Sequence, residues 1–372
     1  MTSIIYVGMD VHTTNYTLCC YSMEDDRFFA EVQVEPDVKN ILKYLARIEK
    51  QQSRDCRIVC GYEAGCLGYS LYHQLHAHGI DCVILAPTTM MTKPGKRIKT
   101  DRRDARLISK CLAFHTYSPV YIPTEVDDAV KEYIRMRDDA NSALARVKQQ
   151  IIAFCIRHGK IHDGKSYWTN KHLEWLSSLD LGNKILSEVL QEYLIRYYQL
   201  REQVDMYDMR INELAQAEPY RQKVEKLGCF RGIAAHTALS FCVEVGDFRR
   251  FATAQQFASY LGLVPGECSS GDKQQYTGIT KAGNSHLRKL LVETAQVFGR
   301  SATKSGKSVA LKERQAKCDS LTVAYADKAN ARLKKKYFKI AMRSKVNIAK
   351  TAVAREMACF IWGMMTDNIS CA

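Results

Sequence analysis

The order of apolar runs over the first 117 residues is the tightest constraint on what this chain can fold into. Stretches rich in Ile, Val, Tyr and Phe at 3–10, 14–23 and 27–35 follow one another through short connections, among them the polar Glu24-Asp25-Asp26. Two further runs, 57–63 and 81–87, alternate with helical segments at 37–51, 67–79 and 101–115. Strands joined by a few residues pair antiparallel, whereas strands separated by helices add in parallel. The reading is therefore a three-strand meander extended by two parallel strands. Asp37 is placed to cap the first helix and Gly79 to close the second.

Four carboxylates occupy telling places in that order. Asp10 lies in the opening run Ile4-Ile5-Tyr6-Val7-Gly8-Met9-Asp10, and Glu63 ends the run Arg57-Ile58-Val59-Cys60-Gly61-Tyr62-Glu63. Asp101 and Asp104 open the last helical segment, three residues apart and so on one helix face. This is the order of an RNase H-like domain, with Asp10 mid-sheet, Glu63 at an adjacent strand end and the Asp pair on the final helix. Two divalent ions about 3.5–4 Å apart need several hard oxygen ligands and clamp the attacking and leaving oxygens of a phosphodiester. Phosphodiester chemistry with Mg2+ or Mn2+ is the first expectation. Asp101 or Asp104 alone would equally suit a helix N-terminus electrostatically; only the foursome points to catalysis. His12 is within reach of the same place, or is incidental to the strand edge. A basic linker, Lys93, Lys96, Arg97 and Lys99 around Pro94-Gly95, precedes the Asp pair.

The hydrophobic period changes near residue 125. Leu186, Leu190, Tyr193, Tyr197, Leu200, Val204, Tyr207, Ile211 and Leu214 alternate steps of four and three, the signature of a coiled-coil seam. Ala140, Leu144, Val147, Ile151 and Phe154 carry the same rhythm earlier. Gly159 and the 168–181 segment separate the two, so the reading is an antiparallel helical hairpin that packs on itself or dimerises. Pro219 ends it. From about 220 the chain is helical with Gly-rich interruptions. Leu227-Gly228-Cys229-Phe230-Arg231-Gly232-Ile233 leads into a small-residue helix, either as a plain helix–helix turn or as a place where a phosphate meets backbone N–H groups. The domains expected are 1–120, 121–218 and 219–372.

Charge narrows the class of partner. The net charge is +14, and residues 301–350 hold fourteen Lys or Arg against Glu313, Asp319 and Asp327. A basic stretch beside an acidic, enzyme-like cluster favours a nucleic acid. Lys334-Lys335-Lys336 with Tyr337-Phe338 suits backbone contact with base stacking. The fourteen cysteines are scattered through apolar runs without a C-x-x-C pair, which reads as reduced core thiols rather than zinc or disulfides. No signal peptide is visible, and the apolar patch at 358–365 is too short to span a bilayer. A cytoplasmic, nucleoid-associated bacterial protein is expected.

A second constellation lies in Gly262-Leu263-Val264-Pro265-Gly266-Glu267-Cys268-Ser269-Ser270-Gly271 and the following Gly278-Ile279-Thr280-Lys281-Ala282-Gly283-Asn284-Ser285-His286-Leu287-Arg288. Alone, this is a Gly/Ser loop feeding a helix with basic residues at its start. A serine nucleophile needs a base or metal to activate it, and no His stands beside it in sequence. Together with Asp10, Glu63, Asp101, Asp104 and the helical insert, it resembles the DEDD recombinases of insertion-sequence family 110, which include the pilin-gene invertases. The resemblance runs across nearly the whole chain, in the same order. One departure is Gly228–Ile233, which only partly matches the helix-hairpin-helix-like turn common in the family.

The resemblance implies a RuvC-like nuclease domain, a coiled-coil domain and a mostly helical C-terminal transposase domain. Asp10, Glu63, Asp101 and Asp104 would bind metal, and Ser270 would be the nucleophile, with Ser269 the nearby alternative. It further implies recombination of donor and target duplex DNA through a phosphoserine intermediate, directed by a structured bridge RNA. Lys99, Arg102, Arg103, Lys281, Arg288, Lys334, Lys335 and Lys336 are the candidate nucleic-acid contacts. A homodimer, tetrameric in synapsis, would bring acids of one subunit to the serine of another. The competing reading is a RuvC-like, metal-dependent, structure-selective endonuclease in which Ser270 is merely structural. A third is a nucleic-acid-binding protein whose acids no longer catalyse.

Overall fold

The computed structural model describes residues 3–52, 56–90, 100–267, 276–300 and 306–369. The chain divides into two compact units, Met1–Ile122 and Pro123–Ala372.

In the first unit, β1 (Ser3–Val11), β2 (Tyr16–Ser22), β3 (Arg27–Val34), β4 (Cys56–Glu63) and β5 (Asp81–Leu85) form one sheet in the order β3-β2-β1-β4-β5. β1 to β3 pair antiparallel, and β4 and β5 add in parallel. Helices α1 (Val38–Gln51), α2 (Ser70–Ala77) and α3 (Asp101–Ala113) fall in the segments expected to be helical. The Asp37 side chain accepts from the Lys39 N–H at 2.8 Å and so caps α1.

Successive side chains of β1 point to opposite faces. Ile5, Val7 and Met9 enter a core with Ile41, Leu45 and Ile48 of α1 and Leu71 and Leu75 of α2. Tyr6 enters the other core, with Ile108, Cys111 and Leu112 of α3. Burying each such aliphatic side chain stabilises by about 1.5–3 kcal/mol. Gly8 shares the α3 face. A Cβ there would lie 2.0 Å from the Ala105 carbonyl oxygen and 2.3 Å from the Ser109 nitrogen. The backbone of α3 therefore rests directly on β1, and only glycine permits it.

The second unit begins with two 33-residue helices, α4 (Glu125–Arg157) and α6 (Lys184–Gln216), bridged by α5 (Asn170–Ser177). Tyr133 meets Tyr207, Arg137 meets Asp208, and Phe154 meets Tyr193, so the two helices run antiparallel. Leu144, Val147, Ile151 and Phe154 of α4 share a core with Leu190, Tyr197 and Val204 of α6. The hairpin packs on itself along the residues whose period predicted it. Arg137 adds a two-pronged contact, donating to the two Asp208 carboxylate oxygens at 2.7 and 3.0 Å.

The rest of the unit comprises α7 (Arg221–Gly228), α8 (Ala235–Val245), α9 (Ala254–Tyr260), the strands β6 (Pro265–Glu267) and β7 (Tyr276–Ile279), then α10 (Ser285–Ala295), α11 (Val309–Gln315), α12 (Ser320–Ala341) and α13 (Val346–Met365). Helix α13 is central, packing against α7, α9, α10 and α12. Its apolar patch is buried in the protein: Ala358, Ile361 and Met364 are at most 1% exposed. Among the described residues no helix is long and apolar enough to cross a membrane. Val130 and Ile134 of α4 and Ile211 and Ala215 of α6 belong to the same core as residues of α8, α9, α10, α12 and α13. The stretches read as separate domains, 121–218 and 219–372, thus share one core at the base of the hairpin.

Candidate active site

The alternation of β1 that turns Tyr6 and Gly8 toward α3 turns Asp10 the same way. Helix α3 begins with Asp101, one turn before Ala105, which touches Gly8. The close seating of α3 thereby brings its first turn to the end of β1. A ligand-capable atom from each of Asp10, His12 and Asp101 lies within 4.8 Å of the others. Burial pushes the Asp10 carboxyl above its ordinary range, and the charges of Asp104 and Asp101 push it further, against the nearby His12. Among the described residues, Asp10 Oδ2 is buried without a hydrogen-bond partner. Glu63 stands one step beyond the pair Met9–Tyr62 in the parallel register of β1 with β4, beside Asp10. The structure thus brings Asp10, His12 and Asp101 together, with Asp104 near enough for its charge to act on Asp10, while Glu63 ends the adjacent strand outside that group.

An orphaned, buried carboxylate oxygen among other acids is the situation a hard cation resolves, because carboxylates are the ligands Mg2+ and Mn2+ prefer. The residues present fit such an ion.

The second constellation folds into a platform. Strands β6 and β7 pair antiparallel, Pro265 with Ile279 and Glu267 with Tyr276. Ser269 and Ser270 fall in the connection between them, 268–275, which lies outside the described residues. The base of the hairpin is held by backbone bonds from Thr280 N to Val264 O, Lys281 N to Gly262 O and Asn284 N to Tyr260 O, at 2.9–3.1 Å. Gly283 has φ 65°, and a Cβ there would come within 2.0 Å of the Tyr260 carbonyl oxygen. Asn284 caps α10 by accepting from the Leu287 N–H at 2.9 Å.

Beneath this hairpin runs a polar network that sequence reading missed. His286 Nε2 bonds Asp138 Oδ2 at 2.7 Å, and its Nδ1 bonds Glu244. Asn284 donates to the other Glu244 oxygen at 2.5 Å. Both ring nitrogens face carboxylates, so the imidazole is held as the cation. Burial alone would lower its pKa, but the bonds to Asp138 and Glu244 push it up to about 9. Burial also opposes ionisation of Asp138, yet His236 Nε2, 3.0 Å away, and hydrogen bonds from His286 and Arg137 hold its carboxyl well below the usual range. The network ties α4 to α8 and α10. His286 stood in the quoted motif, but Asp138 and Glu244 carry no local signal linking them to it.

Comparison with known proteins fits this geometry. The IS110-type DEDD transposases, described as "Transposase", match residues 7–156, and the family described as "Transposase IS116/IS110/IS902 family" matches residues 225–314. The transposase for insertion sequence element IS1533 of Leptospira borgpetersenii is 32% identical over 340 residues, 90% of this chain and 95% of that one. The chain belongs to the IS110 family of DEDD transposases. Putative transposase y4qE of Sinorhizobium fredii is 36% identical over 307 residues, 82% of this chain and 75% of that one. The transposase for IS1111A of Coxiella burnetii is 27% identical over 235 residues, 61% of this chain and 62% of that one.

In this transposase the basic candidates fare differently. Arg102 Nε lies 3.4 Å from Glu31, which also accepts from Arg106 at 2.6 Å, and Arg103 is exposed on α3. Lys99 lies outside the described residues. Lys281 is exposed, with φ 56°. Arg288 donates through Nη1 to the carbonyls of Leu261 and Ala282, at 3.0 and 2.9 Å, and so braces the hairpin base. Lys336 pairs with Glu356 at 2.5 Å, Lys335 is exposed and Lys334 is half-buried. The expected stacking role of Tyr337 is corrected: its ring is buried in the core of the second unit, 6% exposed, because it lies on the inward face of α12.

Proposed function

We propose that this transposase cuts and rejoins donor and target DNA through a phosphoserine intermediate, with Asp10, Glu63, Asp101 and Asp104 holding Mg2+ or Mn2+ and Ser270 as the nucleophile. The observation that carries the metal-site reading is Asp10 Oδ2, buried and unpartnered among the described residues, in its group with His12 and Asp101. A divalent ion there would supply charge stabilisation for the phosphoryl oxygens and the leaving oxygen. The acids' own task is to present convergent oxygens on a rigid strand and a helix seated on it.

Support for Ser270 is the family motif and the platform built from the same motif. Gly283, Asn284, His286 and Arg288 all serve to fix the base of the hairpin that carries it. Attack by the Ser270 oxygen on phosphorus forms a Ser–O–P bond and releases one DNA hydroxyl. Later attack by a DNA hydroxyl on that phosphorus returns the serine and reseals the strand. Bond energy is conserved, so no nucleotide cofactor is needed. Choice of donor and target through a bridge RNA and action as a dimer pairing into a tetramer complete the proposal; the basic stretch at 301–350 suits an RNA or DNA backbone.

The test uses the gene's flanking DNA, the noncoding RNA transcribed from it, and the full-length protein. A detergent-resistant protein–DNA adduct that requires Mg2+ and disappears in Ser270→Ala is expected. Metal-dependent cleavage that survives Ser270→Ala without an adduct identifies a hydrolytic nuclease instead.

A further inference from the structure

The acidic group holds a side chain that the four-acid signature leaves out. Asp10 and His12 are two residues apart, so the alternation that aims Gly8 and Asp10 at α3 carries on to His12 just past the end of β1. The turn is fixed by the His12 N–H, which donates to the Asn15 carbonyl at 3.0 Å. The ring is half-exposed, and its Nε2 stands 3.4 Å from Asp10 Oδ1. It lies within the same 4.8 Å group as Asp101. The neighbouring Asp10 oxygen, Oδ2, is buried and has no partner among the described residues.

Ligands around one first-row divalent ion sit about 2.0–2.2 Å from it. Two of them are then separated by roughly 3 Å at right angles and a little over 4 Å across the ion, so Asp10, His12 and Asp101 need only a small closure to share one. Surface histidines that merely neighbour an acid are common; this one is aimed at the same point as two carboxylates from different elements. We propose that His12 Nε2 is a nitrogen ligand of the cation held by Asp10 and Asp101. The inference rests on the reading of the acids as a metal site. Its consequence is selectivity: Mn2+, a first-row transition ion, accepts an imidazole nitrogen among oxygen ligands more readily than Mg2+, which takes oxygen ligands and keeps its waters, so this site favours Mn2+ over Mg2+ more than four carboxylates alone would.

The experiment is pulsed electron paramagnetic resonance of Mn2+ bound to the full-length protein, with Mn2+ and Mg2+ affinities measured in parallel. Because His12 is half-exposed, His12→Gln leaves the sheet intact, and a melting curve checks this. Wild-type protein is expected to show 14N coupling on Mn2+, replaced by 15N coupling when histidine is 15N-labelled. His12→Gln is expected to lose that coupling and to bind Mn2+ about tenfold or more weakly, with a smaller loss for Mg2+. If wild-type binds Mn2+ without nitrogen coupling, or the coupling survives His12→Gln, while Asp10→Asn abolishes binding, His12 is no ligand and the acid site stands. If wild-type binds no Mn2+, or Asp10→Asn binds it as well as wild-type does, the metal-site reading itself is overturned.

Discussion

Gly8→Ala tests how the strand and helix that carry the acids are held together. The added methyl would lie 2.0 Å from the Ala105 carbonyl oxygen and 2.3 Å from the Ser109 nitrogen, and both are backbone atoms of α3. No side chain can turn aside to relieve the clash. Such contacts are essentially never closer than 3.0 Å, so α3 must retreat from β1 by about 1 Å or more. Overpacking of this kind costs about 1–3 kcal/mol, and backbone against backbone belongs at the upper end. For a unit of this size that is roughly a 10 °C fall in melting temperature. Asp101 and Asp104, the proposed metal ligands, ride on the first turn of the displaced helix, and a shift of about 1 Å in a catalytic group costs on the order of 100-fold in rate. Thermal melting and Mg2+-dependent DNA cleavage, assayed well below the melting point, should therefore fall together. Wild-type melting and wild-type cleavage in Gly8→Ala would refute the seating of α3 on β1 and the route by which the acids converge.

Three further outcomes follow from the same structure. Asp10→Asn should raise the melting temperature slightly in chelator, because burial and the charges of Asp104 and Asp101 disfavour the carboxylate; a large loss of stability would contradict this. The His286 clamp should impose a pH dependence measurable by urea unfolding. Its folded pKa, about 9, lies above the ordinary histidine value, so its contribution of up to about 3 kcal/mol is complete below about pH 6.5 and lost as pH rises through 9. His286→Gln should flatten that alkaline limb; an unchanged limb removes the clamp. Tyr197→Ala, at a position 2% exposed and stacked on Trp168 at 5.0 Å, should destabilise the hairpin by about 3–5 kcal/mol in denaturant unfolding, and a loss under 1 kcal/mol would show that the stack is not packed.

Local signals carried most of the fold. In the first unit strand runs, short connections and helix caps were all readable, and the sheet order followed from which strands had helices between them. The hairpin was legible because a seam of alternating four and three steps from Leu186 to Leu214 leaves little choice of packing face. What escaped were arrangements made by distant residues. The Asp138–His286–Glu244 network joins three helices, and nothing near Asp138 in sequence marks it as a partner of His286. Tyr337 beside three lysines looked like a stacking residue, but its place on the inward face of α12 follows only from the core around it. Arg288 looked like a phosphate ligand, and its bonds to Leu261 and Ala282 appear only once the hairpin has closed. Among the acids, spacing alone placed Asp101 and Asp104 on one face; Gly8 is the residue that delivers them to Asp10.

We propose that Asp10, Glu63, Asp101 and Asp104 form one metal-dependent site for DNA strand cleavage. It is tested most directly by comparing Asp10→Asn, Glu63→Gln, Asp101→Asn and Asp104→Asn for Mg2+-dependent cleavage of the element's own DNA, each beside its melting curve. Every variant is expected to melt at or near the wild-type temperature and to cleave at least about 100-fold more slowly. Wild-type cleavage by a folded Asp10→Asn protein would rule out that site.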